Sequence, residues 1–224
     1  MGSVQSTKAV QIRAGTVMLQ GDLTLPKDAI GIVAFAHGSG SSRLSPRNRY
    51  VAGLLQDARL GTLLFDLLTT EEERVDEITA ELRFDIPFLA DRLTATTDWM
   101  SEQPWAERLQ IGYFGASTGA AAALVAAAKR AELVHAVVSR GGRPDLAGAA
   151  LSRVRAPTLL IVGELDDTVL ALNRQALAEL RCEKQLAIVP GATHLFEEPG
   201  TLEQAAHLAR DWFVHCFAHE PVSS

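Results

Sequence analysis

Residues 111–130 of the sequence are IGYFGASTGAAAALVAAAKR, and this stretch decides the fold. It begins as a short apolar run, turns between Gly115 and Gly119, and continues as an alanine-rich segment. A short apolar run is typical of a buried strand, and an alanine-rich segment favours a helix. The stretch therefore predicts a strand, a sharp turn that carries Ser117, and a helix. Serine is also a common helix N-cap, so Ser117 alone does not indicate a reactive hydroxyl.

The composition fits a single α/β domain. The chain has 224 residues, of which 47% are hydrophobic, so it can bury a substantial core. We expect one domain over residues 1–224, with a core from about residue 17 to residue 217. The ends outside this core, among them the tail HEPVSS at residues 219–224, are expected to be frayed.

Charge and cysteine content exclude several classes of function. The formal net charge is −6 without a run of lysines or arginines, which argues against nucleic-acid or membrane binding and favours a small-molecule substrate. Cys182 and Cys216 lie far apart, so neither a disulfide framework nor a zinc motif is indicated. The N-terminal residues lack the apolar core of a signal peptide, and no apolar run reaches the roughly 20 positions that span a bilayer. These features predict a cytoplasmic protein and leave its oligomeric state open.

Strand-like and helix-like segments alternate along the chain. Six apolar runs that end in turn residues are typical of buried strands: GIVAFAHG, TLLFDLL, LQIGYFG, VHAVVSRGG, TLLIVGELD and KQLAIVPGA. Longer segments with helical spacing lie between them. This order predicts a three-layer α/β/α domain, in which a mainly parallel, twisted sheet has helices on both faces.

Two segments depart from this alternation. Within TVMLQGDLTLP, the Gly-Asp pair at residues 21–22 is typical of a hairpin turn and predicts one antiparallel edge of the sheet. The acidic segment TTEEERVDEITAE, residues 69–81, is interpreted as a solvated loop or the start of a helix in preference to a part of the active site.

Three of the predicted strands end at residues that can form a serine, acid and histidine set. Ser117 follows one strand, Asp166 and Asp167 follow a second, and His194 follows a third. Functional groups collect beyond the carboxyl ends of the strands in an open parallel sheet. A serine hydroxyl needs a base to remove its proton, histidine is suited to that exchange, and a carboxylate orients the imidazole. Strand-end position does not decide between Asp166 and Asp167.

His194 is selected from six histidines by its position. Three others fall in or beside the last predicted helix: His207, His215 and His219. His135 opens a strand at the opposite edge of the sheet. His37 lies in the glycine-rich loop HGSGSS, which favours backbone donors over a base. This loop also lacks the Gly-Lys-Ser/Thr ending of a phosphate-binding loop, which argues against nucleotide binding.

The turn at Ser117 has the pattern G-x-S-x-G, and with the order Ser, Asp, His it resembles the α/β-hydrolase fold. GELDDTV around the acid and GATHLF around the histidine are similar to the dienelactone hydrolase-like family, and the resemblance covers nearly the whole chain. It implies that Ser117 is the nucleophile, Asp166 the acid and His194 the base. Dienelactone hydrolases proper carry a cysteine where this chain has Ser117, which favours a general serine esterase or acyl hydrolase.

The resemblance also indicates which groups surround the reacting carbonyl. The backbone N–H groups of Thr118 and Ser39 are expected to form the oxyanion hole, with Gly40 as the alternative to Ser39. Only residues 140–157 separate the strand after the nucleophile helix from the acid-bearing strand. This is too little for a lid domain, so we expect an open site.

Arginines near these loops are candidates for substrate binding. Arg43 and Arg47 follow the HGSGSS loop, and Arg140 follows a predicted strand. A guanidinium at the rim of the site can hold a substrate carboxylate, although arginines at helix starts are more often solvated.

Two classes of function are compatible with these residues. The first is a serine hydrolase that acts on a small soluble ester, lactone or thioester, with neither a metal nor an organic cofactor. The alternative is a binding or regulatory module that keeps the fold without turnover, because fold alone never establishes activity.

Overall fold

The computed structural model describes residues 6–218, which contain an eight-stranded sheet flanked by helices. The strands are β1 Thr7–Ala14, β2 Val17–Thr24, β3 Gly31–Ala36, β4 Leu60–Phe65, β5 Gln110–Ala116, β6 Val134–Arg140, β7 Thr158–Gly163 and β8 Lys184–Val189. The helices are α1 Pro46–Asp57, α2 Thr70–Thr79, α3 Ile86–Ser101, α4 Thr118–Lys129, α5 Asp167–Glu179 and α6 Thr201–Ala218. Short 3-10 segments lie at Leu82–Phe84, Ala106–Arg108 and Pro144–Arg153. The tail HEPVSS lies outside the described residues.

The sheet confirms the predicted α/β/α class. Its strand order is β1-β2-β4-β3-β5-β6-β7-β8, and neighbouring strands from β4 to β8 are parallel. The order of addition reverses between β3 and β5, because β4 lies on one side of β3 and the later strands lie on the other. The loops that follow β3 and β5 diverge at such a reversal and leave a crevice at the carboxyl edge. Ser39 and Ser117 lie in these two loops.

The helices form two apolar cores, one on each face of the sheet. Helices α1 and α6 pack on one face, where Leu55 and Phe213 are fully buried. Helices α3, α4 and α5 pack on the other face, around residues such as Leu93 and Ala176. Each fully buried leucine or phenylalanine contributes roughly 1.5–3 kcal/mol. Helix α4 is buried along most of its length because its alanines allow its backbone to approach both the sheet and α3.

Gly115 and Gly119 permit the sharp turn from β5 into α4. A Cβ on Gly119 would collide with the carbonyl oxygens of Ala36 and His37, and a Cβ on Gly115 would collide with the backbone of Ala120. Backbone atoms cannot swing aside as flexible side chains do. The N-terminus of α4 is therefore held directly against the end of β3.

The N-terminal edge differs from the sequence prediction. An antiparallel hairpin is present, but it turns at residues 15–16, and residues 21–22 lie within β2. Gly15 has a φ of +65°, which glycine adopts without steric cost. The core consequently begins before residue 17, since Ile12 of β1 is fully buried. Most other side chains of β1 are exposed, which leaves its apolar pattern weak.

The acidic segment at residues 69–81 forms a helix. Helix α2 begins after Thr69, whose hydroxyl accepts a 3.2 Å hydrogen bond from the N–H of Glu72. The Glu72 carboxylate in turn accepts a 2.8 Å bond from the N–H of Thr69. This reciprocal pair is a capping box, which satisfies two backbone donors and decides between the two interpretations in favour of a helix.

The loop between β6 and β7 contains no lid domain. Its residues form the 3-10 segment Pro144–Arg153, with a kink at Gly148, and then enter β7. Across residues 6–218, no helix is long and apolar enough to cross a membrane. Within the same range, no cluster of His, Cys, Asp and Glu side chains is arranged to hold a metal ion.

We predict that Gly119→Ala lowers the free energy of unfolding by about 2 kcal/mol, because the new Cβ meets rigid backbone carbonyls. Gly53→Ala is the matched control. Gly53 lies inside α1 with open space at its Cβ position, so alanine should raise the free energy of unfolding by roughly 1 kcal/mol. Urea denaturation measures both changes. Wild-type stability of Gly119→Ala would contradict the close approach of α4 to β3.

Candidate active site

Ser117 occupies a strained turn between β5 and α4. Its φ of +52° and ψ of −122° are rarely adopted by residues other than glycine. Its N–H donates to the carbonyl of Arg140 at 3.4 Å, and its carbonyl accepts from the N–H of Arg143 at 3.1 Å. The hydroxyl makes no capping hydrogen bond to α4, so it is not used as an N-cap. Strain of this kind is typical of functional residues.

Two further loops bring an acid and a histidine together. The ring of His194 donates from Nδ1 to Asp166 Oδ2 at 2.6 Å, whereas Asp167 is exposed to solvent. Of the two candidate acids, Asp166 is thus the one that contacts the imidazole. The two loops are tied by a 2.9 Å hydrogen bond from the N–H of Leu165 to the carbonyl of Ala192. A carboxylate only accepts, so this contact places the ring proton on Nδ1 and leaves Nε2 able to act as a base.

Gly141 lies between the Ser117 turn and the histidine loop. It follows Arg140, whose carbonyl binds the N–H of Ser117. A Cβ on Gly141 would lie 2.9 Å from the carbonyl oxygen of His194 and 3.8 Å from its ring carbon Cε1. Within residues 6–218 the Ser117 hydroxyl makes no hydrogen bond to His194. Such contacts are often long in enzymes without bound substrate and shorten in the complex.

The expected oxyanion donors flank Ser117, but one of them is already bonded. Thr118 is the first residue of α4, where backbone N–H groups have no partner within the helix. The N–H of Ser39 donates to Thr118 Oγ1 at 3.1 Å. An oxyanion at this point therefore has to replace the Thr118 hydroxyl before Ser39 can stabilise it.

His37 fixes the loop that carries Ser39. Its ring is buried, Nε2 accepts a 3.1 Å hydrogen bond from the N–H of Leu67, and Nδ1 donates to the carbonyl of Gly38 at 3.0 Å. Burial lowers the pKa of His37, which keeps the ring neutral as these two bonds require. A Cβ on Gly38 would approach Ser117 Cβ to 3.0 Å, so this loop lies against the Ser117 turn.

A cavity of about 270 Å³ opens beside the Ser39 loop. Leu67 and Leu89 supply apolar parts of its wall, and charged side chains supply the rest: Glu73, Asp76, Glu77 and Arg83. Three of these charged residues belong to the acidic segment 69–81, for which the sequence favours a solvated surface over a part of the site. The sequence signal that could have indicated them is the spacing of positions 73, 76 and 77, which places all three acidic side chains on one helical face. A larger cavity of about 380 Å³ lies beside His135 at the opposite ends of the strands, away from Ser117.

Comparison with known proteins identifies the family. Residues 58–220 match the model of the dienelactone hydrolase family. The chain belongs to this family. A crystal structure of a dienelactone hydrolase from Anabaena variabilis ATCC 29413 is similar, with 59% identity, a TM-score of 0.93, and coverage of 95% of this chain and 98% of that one. Est1E from Butyrivibrio proteoclasticus has a TM-score of 0.78 at 15% identity, over 94% of this chain and 99% of Est1E, and shares the fold.

Curated relatives of this dienelactone hydrolase family member are longer. Two proteins from Mycobacterium tuberculosis, strains CDC 1551 and H37Rv, are 61% identical to it over 205 residues. The match covers 92% of this chain and 45% of each relative, so the chain spans less than half of their length. Both relatives are provisionally named phosphoribosyl transferases. The family and the fold support a hydrolase.

The three arginines selected from the sequence have different surroundings in this family member. Arg43 pairs with Asp66 and lies 3.8 Å from a carboxylate oxygen of Asp22. This differs from the expectation that Arg43 binds substrate, because two carboxylates of the protein already neutralise it. Arg47 lies at the start of α1 and pairs with Glu197 of the histidine loop. Arg140 is buried at the end of β6.

Asp76 is bonded to Arg83 in the wall of the 270 Å³ cavity, and this contact should contribute to the stability of the fold. Its side chain is 3% exposed, its Oδ2 accepts from Arg83 Nε at 2.6 Å, and its Oδ1 accepts from the N–H of Leu82 at 2.7 Å. Burial alone would raise the pKa of Asp76, but these hydrogen bonds stabilise the carboxylate and lower the pKa overall. We predict that Asp76→Asn lowers the free energy of unfolding by about 3 kcal/mol at neutral pH, because Arg83 loses its partner.

The pH dependence of the stability difference between wild type and Asp76→Asn tests this prediction. A lowered pKa stabilises the fold above the unfolded value of about 4, and this contribution disappears as the pH falls through the folded value. The difference between wild type and Asp76→Asn in urea denaturation should therefore shrink in acid. Asp91→Asn, which removes an exposed pair with Lys129, is the control and should change stability by less than about 0.5 kcal/mol. A difference that does not vary with pH would contradict this account.

Proposed function

We propose that this chain is a serine hydrolase that cleaves a small soluble ester, lactone or thioester through an acyl-enzyme on Ser117. The observation that carries the proposal is the 2.6 Å hydrogen bond between His194 and Asp166, at the sheet edge where Ser117 occupies its strained turn. An imidazole held by a carboxylate is what makes a serine hydroxyl nucleophilic at neutral pH. The small-molecule substrate is part of this proposal, and a cytoplasmic location stays a prediction from the sequence.

In the first half-reaction, Ser117 Oγ attacks the acyl carbon while His194 Nε2 takes the hydroxyl proton. The bond to the leaving group then breaks, and His194 gives the proton to the departing oxygen or sulfur. Between these events the imidazole carries a positive charge, which the Asp166 carboxylate stabilises. The hydrogen bond at Nδ1 also keeps Nε2 unprotonated at the start of the cycle.

The negative charge of the tetrahedral intermediate develops at the N-terminus of α4. The N–H of Thr118 and the helix dipole both favour an anion at that point. The N–H of Ser39 becomes the second donor when the oxyanion replaces Thr118 Oγ1, because a charged acceptor forms a stronger hydrogen bond than a neutral hydroxyl. Loss of one such donor typically raises the barrier by about 3 kcal/mol.

In the second half-reaction, water attacks the acyl carbon and gives its proton to His194. The acyl group leaves as an acid, and Ser117 recovers its proton. Water reaches the acyl-enzyme directly, since residues 140–157 form no lid over the site. The adjoining cavity of about 270 Å³ is suited to a small substrate, since ligand pockets typically begin at about 300 Å³.

Phosphoribosyl transfer is not proposed for this chain. That name belongs to relatives of which more than half lies outside the match. A serine activated by histidine is suited to attack a carbonyl carbon. The ribose carbon at which substitution occurs in phosphoribosyl transfer is not a carbonyl carbon.

The nucleophile is tested by covalent labelling. A fluorophosphonate should form one adduct per chain on Ser117, located by mass spectrometry, and the wild type should hydrolyse p-nitrophenyl acetate. Ser117→Ala should lose both the adduct and the hydrolysis, because no hydroxyl remains at the turn. If well-folded wild type neither reacts nor hydrolyses the ester, the chain is a binding or regulatory module and the proposal is wrong.

The acid is tested by a pair of neighbouring substitutions. Asp166→Asn should lower kcat by about 10⁴-fold with p-nitrophenyl acetate, because an amide no longer fixes the imidazole tautomer. Asp167→Asn is the matched control and should keep near wild-type kcat, since Asp167 is exposed and does not contact His194. The reverse pattern would assign the acid to Asp167 and overturn the geometry described for this loop.

A further inference from the structure

Asn173 is a polar residue on the buried face of helix α5. The other buried residues of this helix are Val169, Leu170 and Ala176. Asn173 is fully buried beside them, with 0% of its surface exposed. Apolar side chains normally occupy such a face, and a buried amide is costly unless it is hydrogen-bonded. The amide therefore indicates a role that an apolar side chain of the same size does not fill.

The amide nitrogen of Asn173 makes two hydrogen bonds. Nδ2 donates to the carbonyl of Val169, one turn earlier in α5, at 2.8 Å and to the carbonyl of Gly142 at 3.0 Å. The other end of the amide, Oδ1, is buried without a hydrogen-bond partner among residues 6–218. Both neighbours are carbonyl oxygens, which only accept, so this position requires donors. Of the two bonds, the one to Gly142 connects α5 to a distant part of the chain.

Gly142 lies in the short segment after β6 that holds the Ser117 turn. In this segment the carbonyl of Arg140 accepts from the N–H of Ser117 at 3.4 Å. The N–H of Arg143 donates to the carbonyl of Ser117 at 3.1 Å. The backbone of Ser117 is thus bonded on both sides by residues that flank Gly142.

Two peptide groups connect Asn173 to the expected oxyanion donor. The carbonyl of Gly142 and the N–H of Arg143 belong to one planar peptide group. The carbonyl of Ser117 and the N–H of Thr118 belong to another. In a trans peptide group the C=O and N–H bonds point in opposite directions. A chain of hydrogen bonds therefore runs from the Asn173 amide through both groups to the N–H of Thr118.

This chain fixes the direction of the Thr118 N–H. Peptide groups are rigid, so a tilt of the group between Gly142 and Arg143 turns its N–H away from the Ser117 carbonyl. That carbonyl also accepts a 3.1 Å bond from the N–H of Ala120, so the bond from Arg143 is one of two that fix its plane. Hydrogen bonds in series also polarise one another, which strengthens the last donor.

Helix α5 itself starts beside the acid. It begins at Asp167, directly after Asp166, whose carboxylate binds the ring of His194. Asn173 lies seven residues beyond Asp166, which is about two helical turns. Its bond to Gly142 therefore fixes the helix that follows the acid against the segment that holds Ser117.

Building on the hydrolase proposed above, we propose that Asn173 is a positioning residue for the oxyanion hole. It acts through the peptide groups that follow Gly142 and Ser117, and it is itself too deeply buried to touch the substrate. Its loss should slow formation of the tetrahedral intermediate and leave substrate binding unchanged, because the oxyanion exists only after attack.

The test uses two substitutions that leave different donors at position 173. Asn173→Leu is similar in size and loses both hydrogen bonds. Asn173→Ser keeps a hydroxyl for the carbonyl of Val169 within the helix, but is too short to reach Gly142. Both should lower kcat with p-nitrophenyl acetate at least tenfold. KM should change less than threefold, because acylation and deacylation both pass through an oxyanion and slow together.

Thr96→Val is the matched control. Thr96 is fully buried in α3, and its hydroxyl donates to the carbonyl of Arg92 at 2.9 Å, one turn earlier in the helix. Loss of this bond should lower stability and leave kcat within about twofold of wild type. An equal fall of kcat in Thr96→Val and Asn173→Ser overturns the proposal. Wild-type kcat in both Asn173 variants, or a loss of kcat/KM that comes from KM alone, also overturns it.

Hydrogen exchange separates this proposal from the hydrolase itself. The amide proton of Arg143 is bonded to Ser117, so its exchange, followed by NMR, should be slow in wild type. Relative to the slowest core amides, it should become at least tenfold faster in both Asn173 variants and stay unchanged in Thr96→Val. Unchanged protection of Arg143 in both variants overturns the proposal. A wild type that hydrolyses no ester refutes the hydrolase, and the exchange rates still decide whether Asn173 holds the Ser117 turn.

The two variants also cover a failure to fold. If Asn173→Leu does not fold by circular dichroism, Asn173→Ser decides both measurements, because it keeps the bond within α5 and loses only the bond to Gly142.

Discussion

The contact between the N-terminus of α4 and the end of β3 is the constraint on which the site depends. No side chain fits at Gly119, because the carbonyl oxygens of Ala36 and His37 occupy the space that its Cβ would need. This contact holds Ser117 in its strained turn. It also brings Thr118 Oγ1 to 3.1 Å from the backbone nitrogen of Ser39. Ser117 and both expected oxyanion donors are thus positioned by backbone packing.

The acid and the histidine are positioned independently of this contact. Their loops follow β7 and β8 and are tied to each other by the hydrogen bond from the N–H of Leu165 to the carbonyl of Ala192. The histidine loop lies against Gly141, which follows β6 beside the Ser117 turn. Separate contacts of the fold therefore hold the Ser117 turn and the pair of Asp166 and His194.

Much of this arrangement could be predicted from the sequence, because the features that produce it are local. The apolar runs specify the parallel sheet, and the glycines around Ser117 specify its sharp turn within a few residues of chain. The early hairpin was misplaced because β1 is mostly exposed and has a weak apolar pattern. The partners of Arg43 could not be predicted either, since Asp22 lies within β2, Asp66 follows β4, and only the folded chain brings them together.

The burial of Arg140 likewise depends on rings that are distant in sequence, Phe114 and Phe196. The choice between Asp166 and Asp167 has a similar origin, because the neighbouring positions differ only in which side chain the loop turns toward His194. Sequence proximity to a strand end indicates that a residue reaches the site. It does not indicate which partner the residue meets there.

The central claim is that the hydroxyl of Ser117 becomes acylated during turnover. Rapid mixing of the protein with excess p-nitrophenyl ester should release a burst of about one p-nitrophenol per chain. Quenching during the burst and sequencing the peptides by mass spectrometry should locate the acyl group on Ser117. An acyl group on another residue, or turnover by a chain that is never acylated, would contradict the account.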